Sequence, residues 1–499
     1  MSQLFQRRFF SARPQKTTRC AECGIGALLS LFAALVLVGS LAGCMVGPTY
    51  QRPAAPAAPE FKTAVGWQPA QPADQQIRGD WWKTYNDSDL DAYEAQVDIS
   101  NQNLKLAVTE FTQARATIQV NRANLSPFIG AGIGATRQRG SYNRATYFNG
   151  ITNEYNDFNL PLDVSWEPDF WGKVRRSVAQ AKANAQASAA DVQNVRLTLQ
   201  AELAVDYFQL HGLDAQQQIL DQTVTALQRS LQLTQARYAG GLNSQLDVAQ
   251  ARTLVETTLA QDQDIAVARA QYEHAIAVLV GQPASTFSIA PRVLTTPPPA
   301  IPVGLPSQLL ERRPDIAAAE RTMAAANEQI GITRAAYYPT FALTGLGGFD
   351  SGHPGNWLTG PSSFWSAGLS ASDTLVDWGQ RHAQGIQSQA AYDGTVAMYR
   401  QTVLTAYQEV EDNLSALSIL HSEAETQQEA VVAAQKQQEI ATSRYRSGID
   451  NYLNVITAQN IELSNAMTAS QIWTRQMTAS VLLIKALGGG WDTKQLPKF

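Results

Sequence analysis

Two long segments of the chain carry apolar residues at a helical spacing. Between Val174 and Tyr238 the apolar positions recur about every 3.5 to 3.6 residues, which lies between the coiled-coil and free-helix values. No proline occurs in 169–282 or in 362–496. A helix over the first segment would be roughly 100 Å long at 1.5 Å per residue. Its polar outer positions predict packing against other helices in water.

Each long helix is predicted to fold back as a hairpin. Gly240-Gly241 and Gly448 are expected to end the long helices. Ser244 and Asp247 have the spacing of a capping box that starts a return helix. The return helices are predicted over about 244–280 and 452–486, with hairpin tips at Tyr238–Asp247 and Tyr445–Asn454.

A different pattern precedes each long helix, where apolar and polar residues alternate. Apolar residues occupy every second position from Phe158 to Trp166, and similar alternation occurs in 341–349 and 365–371, with a glycine-rich strand candidate over 128–136. Such segments are typical of outer-membrane barrel strands. A soluble β-hairpin is the alternative. The intervening segments, 137–155 and 350–362, are expected to be exposed loops.

The body of the chain is predicted to be a tandem duplication. The segment Arg237–Val248 recurs as Arg444–Val455 at an offset of 207 residues, which also relates Trp171-Gly172 to Trp378-Gly379. Arg122 and Pro127 recur as Arg334 and Pro339 at an offset of 212. Anchors in the same order indicate two copies of one unit of about 200 residues.

Two strands in each copy cannot form a membrane barrel alone. A single chain would have four strands, and open strand edges are not tolerated in lipid. The chain is therefore expected to oligomerise, and a trimer would have twelve strands and twelve helical segments. The predicted fold class is mainly α with a β-barrel part: a trimeric 12-stranded outer-membrane β-barrel that continues into a 12-helix periplasmic α-barrel, with two tandem repeats per chain.

Composition and charge remove several classes of function. The chain has 499 residues, of which 44% are hydrophobic and only 16% are charged, with a net charge of −5. The negative charge argues against a generally basic nucleic-acid binder, and no nucleic-acid partner is expected. Three Cys and five His are too few for a disulfide scaffold or a rich metal site, and no metal or cofactor is expected.

The N-terminus has the features of an export signal. Basic residues in 1–19 precede an apolar run from Ile25 to Val38, which is too short to span a membrane comfortably. The run ends in Leu41-Ala42-Gly43-Cys44, which resembles a bacterial lipoprotein signal and makes Cys44 the predicted lipidation site. An ordinary cleavage site is the alternative. Removal of 1–43 would leave a mature chain with Cys44 as its only cysteine.

The chain resembles the TolC-like outer-membrane factors, specifically the lipoprotein branch of efflux channels. The resemblance covers nearly all of the mature chain and rests on several motifs together: Cys44–Tyr50, Trp81-Trp82, Glu167–Arg176, Leu310–Ile316 with Ala319-Glu320, Arg444-Tyr445 with Gly448, and Ala486–Trp491. It implies a homotrimer in the outer membrane, docked to a periplasmic adaptor protein and an inner-membrane RND transporter. The absence of Asp after Cys44 implies sorting to the outer membrane.

The resemblance also implies a gate at the periplasmic hairpin tips. Matching residues for the gate are Asp247, Arg444, Tyr445, Asp450, Leu453 and Asn454. The adaptor is expected at the tip residues Gly240, Gly241, Leu242, Ser244, Gly448 and Ile449. Family members often carry Asp where this chain has Asn454 and Thr457, so Asp247 and Asp450 are the acidic residues expected at the gate. Opening would untwist the inner hairpins and break weak polar contacts.

No enzyme motif is present, and no catalytic residue is predicted. The sequence lacks the zinc-protease, Walker, nucleophile-elbow and nicotinamide patterns. Arg312-Arg313-Pro314-Asp315 is interpreted as a helix start, with Pro at the first helical position and Asp in the first turn.

The predicted function is the exit duct for small molecules in a tripartite efflux system. Two alternatives remain from the sequence: the duct of a type I protein secretion system, and a non-conducting, lipid-anchored coiled-coil scaffold. The expected divisions are the signal 1–43, an extended equatorial segment 44–88, repeat 1 over 89–290, repeat 2 over 291–487 and a C-terminal equatorial segment 488–499.

Overall fold

The structure is a computed structural model that describes residues 45–56, 61–62, 79–141, 154–301 and 312–499. Cys44, the signal 1–43 and most of the first predicted loop lie outside the described residues. The described chain forms two compact units. The strand unit contains Pro127–Arg175 and Tyr338–Asp373, and the helix unit contains Gly47–Ser126, Arg176–Tyr337 and Thr374–Phe499. Each unit therefore includes residues from both predicted repeats.

Three helices of the first repeat have equivalents of the same length in the second. In the first repeat, α1 spans Ser88–Ser100, α2 Gln102–Ala123, α3 Lys173–Ala239 and α4 Gln245–Leu279. In the second, α5 spans Pro314–Ala335, α6 Gln380–Arg446 and α7 Tyr452–Ala486. Helices α3 and α6 each have 67 residues, and α4 and α7 each have 35. The predicted long helices and return helices are confirmed. In the described ranges, no helix is long and apolar enough to cross a membrane.

The strand unit holds one antiparallel sheet. Its strands are β1 Phe128–Ala131, β2 Gly134–Arg139, β3 Glu154–Trp166, β4 Thr340–Ser351 and β5 Ser363–Ser372. The order is β1-β3-β4-β5, and β2 also pairs with β3. The β3–β4 pairing joins the first repeat to the second.

Strands β1 and β2 are one strand interrupted at Gly132-Ile133. Both keep the same register on β3, from Phe128 opposite Ser165 to Arg139 opposite Glu154. The interruption lies opposite Pro161, which accepts a hydrogen bond from the Gly132 N–H at 3.0 Å but has no N–H to return. The single strand predicted over 128–136 is therefore split by a proline in its neighbour.

The loop predicted over 137–155 is too long at both ends, because the neighbouring strands extend into it. Strand β2 runs to Arg139 and β3 starts at Glu154. Cross-strand contacts extend this ladder: Arg137 lies 3.4 Å from the Glu154 carboxylate, and Gln138 donates to the Tyr155 hydroxyl at 2.5 Å. The polar composition indicated a loop, but these pairs favour a longer hairpin.

Helix starts follow the predicted capping chemistry. The Ser244 hydroxyl accepts from the Asp247 N–H at 3.2 Å, and the Asp247 carboxylate accepts from the Ser244 N–H at 3.0 Å, which confirms the capping box. Pro314 is at the start of α5 with Asp315 in the first turn, as predicted. The buried Arg313 donates to the carboxylates of Asp315 and Glu409 at 2.7 and 2.6 Å, so its charge is already paired.

The main core of the helix unit is aromatic and aliphatic. Trp81, Tyr207, Phe208 and Leu203 are fully or almost fully buried within it. Full burial of a Leu or Phe side chain such as Leu203 or Phe208 contributes about 1.5–3 kcal/mol. At Gly212, a Cβ would lie 2.1 Å from the Thr474 hydroxyl of α7, so the close approach of α3 and α7 requires glycine there.

A buried ionic cluster holds the segment that follows α4 against the middle of α3. The Asp214 carboxylate accepts from Arg269 Nε at 2.6 Å, from the Arg292 N–H at 2.9 Å and from His211 Nδ1 at 2.9 Å. Arg269 also donates to the Ile289 carbonyl at 2.7 Å. Burial alone would raise the pKa of Asp214, but these hydrogen bonds outweigh it and lower the pKa.

We expect Asp214→Ala to destabilise the protein strongly. Breaking a buried, paired charge by removing one partner costs about 3–5 kcal/mol, because the remaining cation stays buried. Because the pKa of Asp214 is lowered on folding, its stabilisation is present above the ordinary Asp pKa of about 3.9 and is lost as the pH falls through the lowered value. The difference in thermal unfolding midpoint between variant and wild type, followed by circular dichroism, should therefore be full at pH 7 and shrink in acid. Asp221→Ala, an exposed position on the same helix, is the control, and an equal loss in both variants would contradict this role.

Candidate gate at the hairpin tips

The two hairpin tips have the same backbone geometry. In the first, the Leu242 N–H donates to the Arg237 carbonyl at 2.8 Å, and in the second, the Ile449 N–H donates to the Arg444 carbonyl at 3.0 Å. Gly241 and Gly448 have φ of +78° and +72°, which only glycine adopts at low cost.

At each tip, an arginine in the last turn of the long helix pairs with the residue six positions later. Arg237 Nε donates to the Asn243 side-chain carbonyl at 3.1 Å, and Arg444 Nε donates to the Asp450 carboxylate at 3.2 Å. The two pairs are related by the 207-residue offset. The first tip has a neutral acceptor where the second has a charged one.

The polar contacts of Asp450 are local to its own tip. Its carboxylate accepts from Asn454 Nδ2 at 2.6 Å and from the Asn451 N–H at 3.0 Å. These hydrogen bonds, from Asn454 first and then from the Asn451 N–H and Arg444, lower the pKa of Asp450. Asp247 is used by the capping box. Among the described residues, the hydrogen bonds of the Asp247 and Asp450 carboxylates are each made within their own tip.

Tyr445 is the residue through which the two tips meet. It is only 4% exposed, its hydroxyl accepts from Asn243 Nδ2 at 2.7 Å, and its carbonyl accepts from Arg237 Nη1 at 3.3 Å. The Arg237 guanidinium lies 4.8 Å from the centre of the Tyr445 ring, within the range of a cation–π contact. Arg237 and Asn243 therefore bind the opposite tip.

A small apolar cluster lies behind this contact. Tyr452, Val455 and Ala251 pack with Tyr445, and the rings of Tyr445 and Tyr452 are 5.2 Å apart. The Tyr452 hydroxyl is 3.1 Å from Ser230 Oγ of α3. Burial raises the pKa of Tyr452, so it stays neutral and hydrogen-bonded near neutral pH.

The other predicted tip residues face solvent in the single chain. Leu242, Ile449 and Leu453 are exposed by 72%, 67% and 54%. Gly240, Gly241, Ser244, Gly448, Asn454 and Thr457 are exposed as well. Exposed aliphatic side chains at both tips are available to a partner.

Arg237, Asn243 and Tyr452 were not predicted as functional residues from the sequence. The 207-residue offset contained the signal for the first two, because it places Arg237 on Arg444 and Asn243 on Asp450. Tyr452 occupies the position that Gln245 has in the first tip. Because the two residue types differ, the repeat gave no signal for Tyr452. In the part of the chain that the structure describes, no group of three or more potential ligands could hold a metal ion.

Comparisons with known proteins agree with this architecture. The family model described as outer membrane efflux protein matches residues 94–282 and 305–489. The chain is 32% identical to a probable efflux pump outer membrane protein TtgC of Pseudomonas putida over 93% of this chain and 96% of that protein. It is 30% identical to the pyoverdine export outer membrane protein OpmQ of Pseudomonas aeruginosa, over 93% and 97% of the two chains.

Solved structures show the same fold. The outer-membrane channel OprN superposes with a TM-score of 0.82 at 29% identity, over 90% of this chain and all of that chain. The Campylobacter jejuni CmeC outer membrane channel superposes with a TM-score of 0.84 at 24% identity, over 91% and 96%. The predicted fold class, a mainly helical chain with a barrel part that forms a trimeric outer-membrane channel, is confirmed. The chain belongs to the outer membrane efflux protein family.

Proposed function

We propose that this chain forms the passive exit duct of a tripartite efflux system. A homotrimer, anchored in the outer membrane by lipidated Cys44, would receive cargo from an inner-membrane RND transporter through a periplasmic adaptor protein. Family membership supports the efflux assignment. The observation that carries the gated mechanism is the polar contact of Arg237 and Asn243 with Tyr445. No catalytic step is needed, because the pump supplies the energy.

The tips are suited to a two-state gate. Each polar contact between them contributes on the order of 0.5–3 kcal/mol, and the apolar cluster behind them is small. A closed state held by a few such contacts can be opened by a partner that binds the open form more tightly. Asp247, Arg444, Asp450, Leu453 and Asn454 complete the proposed gate around Tyr445.

The adaptor is proposed to bind the exposed aliphatic tips. Leu242 and Ile449 occupy equivalent positions in the two repeats, as do Leu246 and Leu453, and all four are more than half exposed. The adjacent residues Gly240, Gly241, Ser244 and Gly448 are exposed as well. One adaptor surface could therefore recognise both tips.

Small molecules are the proposed cargo rather than proteins. Relatives of this chain are named for the efflux of antibiotics and toluene and for the export of pyoverdine. A type I secretion duct is the second candidate, and a non-conducting scaffold is the third. We retain the proposed division into signal 1–43, equatorial segments 44–88 and 488–499, and repeats 89–290 and 291–487.

Deletion and reconstitution test this function. Deletion of the gene should increase sensitivity to several unrelated small toxic compounds, and the wild-type chain should restore resistance. Purified protein should conduct ions in planar bilayers. Conductance without any effect on compound sensitivity, but with loss of a secreted protein, would favour the secretion duct. The absence of conductance would favour the scaffold.

We expect Arg237→Ala to raise the basal conductance of the purified protein. The variant loses the contact with the Tyr445 carbonyl, the cation–π contact and the Asn243 pairing. A loss of about 1–3 kcal/mol would shift a closed–open equilibrium roughly 5- to 150-fold. Arg252→Ala, which removes only an exposed ion pair within α4, is the matched control. Equal conductance of the two variants would remove Arg237 from the gate.

Replacement of Cys44 by Ser should abolish acylation. The hydroxyl cannot substitute for the thiol that the lipoprotein pathway modifies, so palmitate labelling should be lost while the polypeptide is still made. Cys20→Ser and Cys23→Ser are the controls, since both residues precede the proposed cleavage site. Undiminished labelling of the Cys44 variant would refute the anchor.

A further inference from the structure

Helix α1 has a carboxyl group at a position where its pattern calls for an apolar side chain. Its buried residues are Leu90, Glu94 and Val97, which are four and three residues apart and therefore form one stripe along the helix. Glu94 has no exposed surface. Among the described residues, neither oxygen of its carboxyl group has a hydrogen-bond partner. Burial without a partner disfavours the charged form and favours the neutral acid.

Two contacts fix the direction in which α1 packs on α3. The rings of Tyr93 and Tyr207 are 6.3 Å apart, and Arg196 Nε lies 2.9 Å from an oxygen of Asp98. The residue numbers rise along α1 while they fall along α3, so the two helices are antiparallel. Glu94 therefore lies beside the part of α3 between these two contacts.

This part of α3 offers Glu94 no positive charge. Over 197–206 its charged residues are Glu202 and Asp206, and both are acidic. Its buried residues are apolar except for the neutral Gln200. Ionised Glu94 would thus add a third carboxylate to an apolar surface.

The other cations near α1 are paired with other carboxylates. Arg292, from the segment that follows α4, lies 3.1 Å from Asp89 in the first turn of α1. Lys83, in the short 3-10 helix Trp81–Tyr85 that precedes α1, lies 2.5 Å from Asp80. Both cations are therefore used away from Glu94.

The surroundings of Glu94 make it hold its proton more tightly. Burial is the largest cause that raises the pKa of Glu94 well above its ordinary value, and the carboxylates of Asp98 and Asp91 raise it further. Lys485 of α7, a helix that packs in the same core, is not among the groups that act on it. Glu94 thus keeps its proton at pH values at which an exposed Glu is ionised.

We propose that Glu94 is a proton-dependent switch in the helix unit: the neutral acid holds α1 in the core against α3, and loss of the proton releases α1. The ionised group can reach water only if the helix moves. Helix α1 has 13 residues and buries three of them, so its release breaks few contacts. The switch goes beyond the proposed function, because it includes neither the gate nor the exposed tips.

The switch makes the packing of α1 weaker as the pH rises. Because the packed form of α1 holds the proton of Glu94 and the released form does not, the ratio of released to packed α1 should rise about tenfold for each pH unit. This dependence begins above the ordinary Glu pKa of about 4.3 and ends at the raised pKa in the core. Asp214, whose pKa is lowered, has the opposite dependence and acts at lower pH.

The variant Glu94→Gln tests the switch, because Gln has nearly the same shape and cannot ionise. Glu429→Gln, at an exposed position on α6, is the matched control. Hydrogen exchange of the α1 amides, corrected for the intrinsic effect of pH, reports release of the helix in the full chain in detergent between about pH 5 and 8. We expect the released fraction to rise about tenfold per pH unit in wild type and in the control, and to be nearly constant in Glu94→Gln.

Two further measurements decide the outcome. Glu94→Met removes the ionisable group and keeps a side chain of similar length, so its exchange should also be nearly independent of pH. Infrared spectra of wild type at neutral pH should contain a carboxylic acid C=O band that is lost in Glu94→Gln. Equal pH dependence in wild type and both variants, an acid band of equal intensity in wild type and Glu94→Gln, or no such band in wild type would overturn the switch. Failure of both variants to fold would also overturn it, since the proposal requires that a neutral side chain packs at this position.

Discussion

The need to satisfy backbone hydrogen bonds in lipid is the constraint on which the rest of this protein depends. Four strand segments arranged as β1-β3-β4-β5 leave two open edges, and neither water nor lipid can pair those edges inside a bilayer. Closure has to come from other copies. The duplication makes this possible, since the pairing that joins the repeats within one chain can recur between chains.

The helical part meets a different constraint. Helices of 67 residues cannot be fixed by their caps alone, because caps act only on the first and last turns. Positions along their length are fixed by buried contacts. The aromatic core around Tyr207 and Phe208 and the ionic cluster around Asp214 hold the middle of α3. Far from that core, the small cluster around Tyr445 and its polar contacts with Arg237 and Asn243 join the tips. The long helices are held firmly in the middle and weakly at the tips. Motion of the helices is therefore favoured at the tips.

Much of this fold was predictable because its signals are local. Helix ends at Gly241 and Gly448, the capping box at Ser244 and the strand alternation from Phe158 to Trp166 each depend on a few neighbouring residues. The split of the first strand was not predictable from its own residues, because the cause is Pro161 in the next strand. The meeting of Arg237 with Tyr445 depends on how two hairpins 200 residues apart pack. The pattern of neighbouring residues contains no information about how the two hairpins pack. Only the 207-residue offset pointed to Arg237, because it makes Arg237 equivalent to Arg444.

The difference between Asn243 and Asp450 has a consequence for how such a duct can change over time. In an ancestor with a single repeat and six identical copies, a substitution at this position would alter all six tips at once. After duplication, each substitution enters the ring three times. The three tips of one repeat can then acquire a charge while the three tips of the other repeat stay neutral. The closure of the duct can thus be changed at three tips at a time rather than at six. A substitution that would not be tolerated at all six tips can then be selected at three.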